Sequence, residues 1–186
     1  MSKKTVRITR AENDFRRTAL QFIKGHYGVT LGTDPADEPD HLFVATQHDE
    51  IVGTMGINFW STGGLPRLAR IYRFNWKSAP HPVVPKTIVE YCRWTATTPY
   101  VSNALIYAAT EFAMREGKTC GWCEHSDEVH RICTRMGLVL HVVDARLEIS
   151  AVADGDKMYY DQNPSVKFYM CDLAHVPDAL AHTIAQ

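Results

Sequence analysis

Glu90 and Arg93 stand three residues apart in the segment VEYCRWTA, which reads as a buried strand. A carboxylate and a guanidinium are costly there unless they are paired or used. Glu90 has the chemistry of a general base, acting on a proton directly or through one water. Arg93 can hold that carboxylate in place or pair with an anionic group of a substrate. The competing reading leaves Glu90 only to neutralise Arg93 inside the sheet. Asp34 and Asp37 form a second group, in the acidic loop TDPADEPDH. They suit a cation such as an amino group or a sulfonium, and equally a solvated turn. Cys120 and Cys123 make a CGWC tetrapeptide, but its flanks read as a strand, where positions three apart point to opposite faces. With Cys92, Cys133 and Cys171 they are read as reduced, buried thiols, and no metal site is expected.

The elements that must position these groups follow from periodicity and punctuation. Residues 6–9 read as a first short strand. Asn13 caps a helix with Phe15, Ala19, Phe22, Ile23 and Tyr27 at helical spacing, and Gly28 ends it. Strands at 42–46 and 51–59 flank a turn at Asp49 and Glu50, with Gly53 and Gly56 marking a bulge or a close backbone approach. Residues 61–85 read as irregular, with Arg67, Arg70, Arg73 and Lys77 among glycines and prolines. The strand at 86–96 carries Glu90 and Arg93. Ser102 caps the next helix, whose Leu105, Ile106, Ala109, Phe112 and Ala113 form an apolar face. A strand at 119–124 follows. Ser126 caps a helix with Asp127 and Glu128 in its first turn and Arg131 and Arg135 near its end, an order that suits the helix dipole. Strands at 138–143 and 146–152, a turn DGD at 154–156, a strand at 166–173 and a short helix from Pro177 complete the chain. This is an α/β (α+β) mixture around a mostly antiparallel sheet.

The chain's 186 residues suit a single domain, 1–186. A net charge of -1 argues against a nucleic-acid binder. No apolar run reaches the roughly 18 residues that suggest a membrane span. The start, MSKKTVRITRAEND, lacks an apolar signal-peptide core, so a cytoplasmic location is expected.

The element order resembles the GNAT acyltransferase superfamily, and within it the autoinducer synthases (acyl-homoserine-lactone synthases) and the long-chain N-acyl amino acid synthases. Glu90-Tyr-Cys-Arg93-Trp94 resembles their E-x-x-R-F on the central strand. Asp34-Pro-Ala-Asp37, followed by Glu38-Pro39 and a strand, resembles their paired acids. SDEVHRICTRMG, from Ser126 to Gly137, resembles their serine-capped helix ending in T-R-x-G. The resemblance covers roughly residues 6 to 140. It departs on the third strand, where the family's arginine has no match in TMGINF. Arg17, Phe22 and Tyr27 match the family's N-terminal acceptor-pocket residues only loosely, which weakens the match to S-adenosylmethionine as acceptor.

The resemblance implies a GNAT-like three-layer fold with a splayed strand pair, flanked by helices. It implies transfer of a fatty acyl group from an acyl carrier protein thioester to a small amine, an amino acid or S-adenosylmethionine, giving an N-acyl amino acid or an N-acyl-homoserine lactone. Glu90 and Arg93 would be catalytic. Trp94, Thr95 and Ala96 would supply donors to the thioester carbonyl, with Ser102 also on the donor side. Asp34, Asp37 and Tyr27 would bind the acceptor. Arg115, Lys118, Arg131 and Arg135 would face the acidic carrier protein, with Arg67, Arg70 and Arg73 as a second basic cluster. Trp60, Phe74, Trp76 and Trp94 either line an acyl tunnel or pack the core. The stretch TATTPYVSN lacks the glycines with which coenzyme A enzymes cradle a diphosphate, which favours a phosphopantetheine donor on a carrier protein and no permanently bound cofactor. A coenzyme A-dependent N-acetyltransferase and a non-catalytic acyl- or partner-binding module are the alternatives.

Overall fold

The computed structural model describes residues 6–31, 37–60 and 65–184, so Asp34 lies outside the described residues. In chain order the elements are β1 (Arg7–Arg10), α1 (Asn13–Leu31), β2 (His41–Gln47), β3 (Glu50–Phe59), α2 (Arg67–Ile71), β4 (Tyr72–Phe74), β5 (Ile88–Ala96), α3 (Pro99–Arg115), β6 (Cys120–His125), α4 (Asp127–Arg135), β7 (His141–Val142), β8 (Ala145–Leu147), α5 (Asp154–Gln162), β9 (Lys167–Asp172) and α6 (Val176–Ile184). The main sheet runs β1-β2-β3-β5-β6-β9-β7, and β4 and β8 form a separate two-stranded ribbon. Every pairing in the main sheet is antiparallel except β5 with β6. Among the described residues no helix is long and apolar enough to cross a membrane.

Alternation along the strands sorts the core onto two faces. Phe43, Met55, Ile57 and Val89 meet Leu105 and Ala109 of α3 and Leu180 of α6 on one face. On the other, Ile88, Trp122, Phe168 and Met170 meet Leu68 and Ile71 of α2 and Tyr160 of α5. Ala19 and Ile23 of α1 pack on Leu42 and Val44. The result is three layers, helix–sheet–helix, as the sequence predicts.

The parallel ladder of β5 and β6 covers only Ile88–Glu90 against Cys120–Trp122. Both strands continue, to Ala96 and His125, without pairing further. The sheet is therefore split from one end. A bulge in β5 accompanies the split. Thr54 pairs with Thr95 but Gly56 pairs with Cys92, so two residues, Arg93 and Trp94, stand against Met55 alone. Arg93 takes the left-handed conformation, φ 52°, which is costly for a residue with a Cβ. Thr54 pins the bulge, its hydroxyl donating to the Arg93 carbonyl at 2.8 Å and lying 3.2 Å from the Thr95 hydroxyl.

Gly53 makes that close approach possible. A Cβ there would stand 2.7 Å from the Thr95 carbonyl oxygen and 2.8 Å from Val101 Cγ1. Gly53→Ala is expected to cost about 1–3 kcal/mol through overpacking. Urea unfolding of the variant checks this, and an unchanged midpoint would contradict it.

Five expectations change. The stretch 61–85 holds α2 and β4. α1 runs past Gly28 to Leu31. Thr98, not Ser102, caps α3, accepting from the Val101 N–H at 3.3 Å, with Pro99 in the first turn where its missing N–H costs nothing. DGD at 154–156 opens α5, because Asp154 and Asp156 lie in a first helical turn, where acidic side chains favour the dipole. The strands expected at 138–143 and 146–152 shrink to β7 and β8.

Candidate active site

The split between β5 and β6 opens onto a cavity of about 440 Å³. Tyr91 to Trp94 line it from β5, and Cys123, Glu124 and His125 from β6. Neighbouring strand residues point to opposite faces, so the cavity has one arm on each side of the sheet. On the α3 side the wall is apolar, with Met55, Ile106, Cys133, Leu138, Leu140 and Val176. On the other side it is polar, with Tyr27, Arg67, Glu124, Asp156, Tyr160 and Asn163.

A buried network organises the polar end. The Arg67 guanidinium donates to Glu124 and, at 2.8 Å, to the Tyr160 hydroxyl. The Tyr160 hydroxyl lies 2.8 Å from each Glu124 oxygen and donates to that carboxylate. Arg67 Nε lies 3.5 Å from Glu90 Oε1, and the Leu68 N–H donates to Glu90 Oε2 at 3.0 Å. Burial works against the Arg67 charge, but Glu124, Tyr160 and Glu90 outweigh it and hold the guanidinium protonated. Burial pushes the Glu90 carboxyl upward, against the pull of Arg67 and the Leu68 N–H.

Glu90 and Arg93 are not a pair. Glu90 has no solvent exposure and does not line the cavity. It points beneath α2, on the face of Ile88. The bulge aims Arg93 elsewhere. Its Nε and Nη2 donate to the Asp37 carbonyl at 3.3 and 2.9 Å, and its guanidinium lies 5.9 Å from the centre of the Tyr27 ring. The Asp37 carboxylate is engaged by Arg70 at 3.0 Å on the surface and stands off the cavity. Tyr27 does line it, and burial pushes its hydroxyl pKa up.

On the donor side Trp94 lines the cavity, while Thr95, Ala96 and Ser102 do not. Thr95 and Ala96 are taken up in pairing with β3. The Ser102 hydroxyl is buried and accepts from the Trp94 indole N–H at 3.1 Å, so it positions Trp94 instead. Trp60 and Phe74 pack on the buried Trp122, Trp76 covers it from the surface, and none of the three lines the cavity. Arg115, Arg131 and Arg135 are exposed, the first at the end of α3 and the others along α4. Lys118 is not a surface cation. Its ammonium donates to the Lys86 carbonyl at 2.8 Å and lies 4.4 Å from the centre of the Phe59 ring.

The five cysteines are free thiols. Cys120 and Cys123 fall on opposite faces, as strand geometry requires. Burial pushes Cys92 and Cys171 up to about 12, so these thiols stay protonated and serve as cavity wall.

His125 closes the β6 side. It stacks on Tyr169 at 4.1 Å between ring centres, with His130 beyond. Burial pushes its pKa down to about 4, only partly opposed by its contact with the Ser126 carbonyl. The folded state therefore keeps His125 neutral, whereas the unfolded chain protonates it near 6.5. That stability is present above the unfolded pKa and lost as pH falls toward the folded one. We expect roughly 2–3 kcal/mol of acid destabilisation between these limits, absent in His125→Phe. Equal acid slopes in urea titrations of the two proteins would contradict this.

Glu124 and Tyr160 were not singled out in the sequence, and Asp156 was read only as part of a turn; Arg67, expected in a basic cluster facing a carrier protein, is instead withdrawn from the surface and paired with Glu124. Glu124 carried a signal, as the one acid in the β6 segment CGWCEH.

The split sheet, the bulged central strand and the helices on both faces define a GNAT-like acyltransferase fold. Among solved structures the chain is similar to TofI, in a ternary complex with an inhibitor and MTA, at 17% identity and TM-score 0.63, over 95% of this chain and 96% of that one. It is similar to FeeM, an N-acyl amino acid synthase from uncultured soil microbes, at 12% identity and TM-score 0.63, over 98% of both chains. It is also similar to MesI, a CoA-dependent acyl-homoserine lactone synthase, at 13% identity and TM-score 0.60, over 98% of this chain and 96% of that one. No protein-family model and no curated protein sequence matches the chain.

Proposed function

We propose that the protein is an N-acyltransferase that moves a fatty acyl group from an acyl carrier protein thioester to a small amine, giving an N-acyl amino acid or an N-acyl-homoserine lactone. The observation that carries this reading is the split of β5 from β6 over a cavity that is apolar on one side and polar on the other. An acyl chain fits among Ile106, Leu138 and Val176. Its thioester then lies at the split, where backbone groups of β5 no longer pair with β6 and suit a developing oxyanion. The acceptor enters from the Tyr27 and Arg93 side. Its nitrogen attacks the carbonyl carbon, the C–S bond breaks, and the sulfur leaves as the thiol.

The polar network gives each buried group a part. Arg67, Glu124 and Tyr160 form a fixed floor that orients the acceptor. Glu90 acts through Arg67 and α2 as a positioning residue, because its carboxylate does not reach the cavity. Among the described residues Arg93 hydrogen-bonds only a neutral carbonyl, which leaves its charge to an anionic group of the acceptor. The exposed Arg115, Arg131 and Arg135 suit an acidic carrier protein.

A second reading takes coenzyme A as donor, and the likeness to the CoA-dependent MesI favours it. Mass spectrometry of organic extracts from expressing cells tests the shared reaction. A new N-acylated amine is expected, and extracts identical to those of cells expressing Glu124→Gln would contradict it. Comparing octanoyl-carrier protein with octanoyl-CoA on the purified protein then separates the donors.

A further inference from the structure

Asp156 lies in the first turn of α5, only 7% exposed, with its side chain on the cavity wall. Among the described residues it makes no hydrogen bond or ion pair to another side chain. That is unusual for a carboxylate so withdrawn from water. Arg67 is shared by Glu90 and Glu124, which leaves Asp156 without a cation in contact among the described residues and with room for one that enters the cavity.

We propose that Asp156 receives the ammonium group of the amine acceptor and takes its proton as the nitrogen attacks the thioester, an inference that rests on the acyl-transfer reading above. The other acids are unsuited to this task. Glu90 does not reach the cavity. The Glu124 carboxylate accepts from Tyr160, whose hydroxyl lies 2.8 Å from each of its oxygens, and also from Arg67. Glu128, also on the wall, is exposed to water at the start of α4. Among the described residues, Asp156 is the buried carboxylate of the cavity wall that accepts from no other side chain.

The step balances as follows. The ammonium N–H proton passes to the Asp156 carboxylate, the freed nitrogen bonds to the carbonyl carbon, and the C–S bond breaks. The nitrogen's second proton leaves with the sulfur as the thiol. Asp156 returns its proton to water when the product departs.

The surroundings suit a proton acceptor. Burial raises the Asp156 carboxyl above the ordinary aspartate range, and Glu124 from β6 and Asp37 ahead of β2 push the same way. Arg93 from β5 and Arg67 from α2 oppose them but do not cancel the effect. Tyr27 from α1 completes the charged and titratable groups around it, and the field of Asp156 helps to keep its hydroxyl protonated. A carboxylate with a raised pKa is a better base near neutrality than an ordinary one. Arg93 across the cavity suits the acceptor's carboxylate, so the pair defines a clamp for an α-amino acid head group.

The test compares wild type, Asp156→Asn and Asp156→Glu, with octanoyl-carrier protein and octanoyl-CoA as donors. S-adenosylmethionine and the twenty standard amino acids serve as acceptor probes. Binding of a non-hydrolysable octanoyl-pantetheine amide reports that the donor site is intact. For the accepted amine, Asp156→Asn is expected to lower kcat/KM by about 10²–10³-fold and to abolish the acid limb of its pH profile. Binding of the amide analogue should stay as in wild type, and Asp156→Glu should restore the limb. An Asp156→Asn enzyme with wild-type kcat/KM and the same acid limb overturns the assignment while leaving acyl transfer standing. A folded wild type that transfers to none of these amines, from either donor, overturns both.

Discussion

Replacing Arg67 by methionine is expected to lower the free energy of unfolding by about 3–5 kcal/mol at neutral pH, the usual cost of removing one partner from a buried ion pair. The size follows from what Arg67 holds. It binds Glu124, lies 3.5 Å from Glu90 and donates to the Tyr160 hydroxyl. Without it two carboxylates remain out of water with no cation against them. Their protonated forms are then favoured in the folded state. A folded-state carboxyl raised above its unfolded value gives stability that is lost as pH rises through it. The deficit of Arg67→Met should therefore be smaller at pH 5 than at pH 8. Urea unfolding at both values checks this, and a loss below about 1 kcal/mol, the range of an exposed pair, would show that the network is not buried as described.

Ile106→Trp should change the acyl group the protein accepts. Ile106 faces the apolar arm from α3 and is nearly buried. An indole there fills space that a fatty chain would occupy and leaves the polar end intact. Each displaced methylene is worth about 1–3 kcal/mol of discrimination, roughly 10–200-fold. Transfer of a dodecanoyl group should fall by about 10²-fold or more, and a butyryl group should be transferred nearly as before. Equal losses for both chains would place the acyl group outside this arm.

Much of the frame was legible in the chain. The segment around Glu90 reads as a buried strand, and the resemblance makes it the central one. Ser126, with acids in its first turn and glycine after its last, marks α4. The Glu90–Arg93 spacing misled because residues three apart on a strand point to opposite faces and do not pair side by side. The bulge that turns Arg93 toward Asp37 and Tyr27 depends on a hydroxyl and a glycine of the neighbouring strand, Thr54 and Gly53, about 40 residues earlier in the chain. Arg67 was hidden in a stretch rich in proline and glycine, where a five-residue helix leaves no periodic signal. Asp156 was hidden because DGD has the composition of a turn. In the fold that segment is a helix whose Tyr160 packs into the second core face. Strand order and polarity belong to local sequence. Which acid faces the cavity is decided by contacts between distant elements.

The most direct measurement is a crystal structure of the protein soaked with an octanoyl-pantetheine analogue in which an amide replaces the thioester. The account predicts the amide carbonyl between β5 and β6 beyond Glu90 and Trp122, the octanoyl chain among Ile106, Leu138 and Val176, and open space toward Asp156 for an amine. A ligand bound elsewhere, with β5 and β6 closed together along their full length, would contradict it.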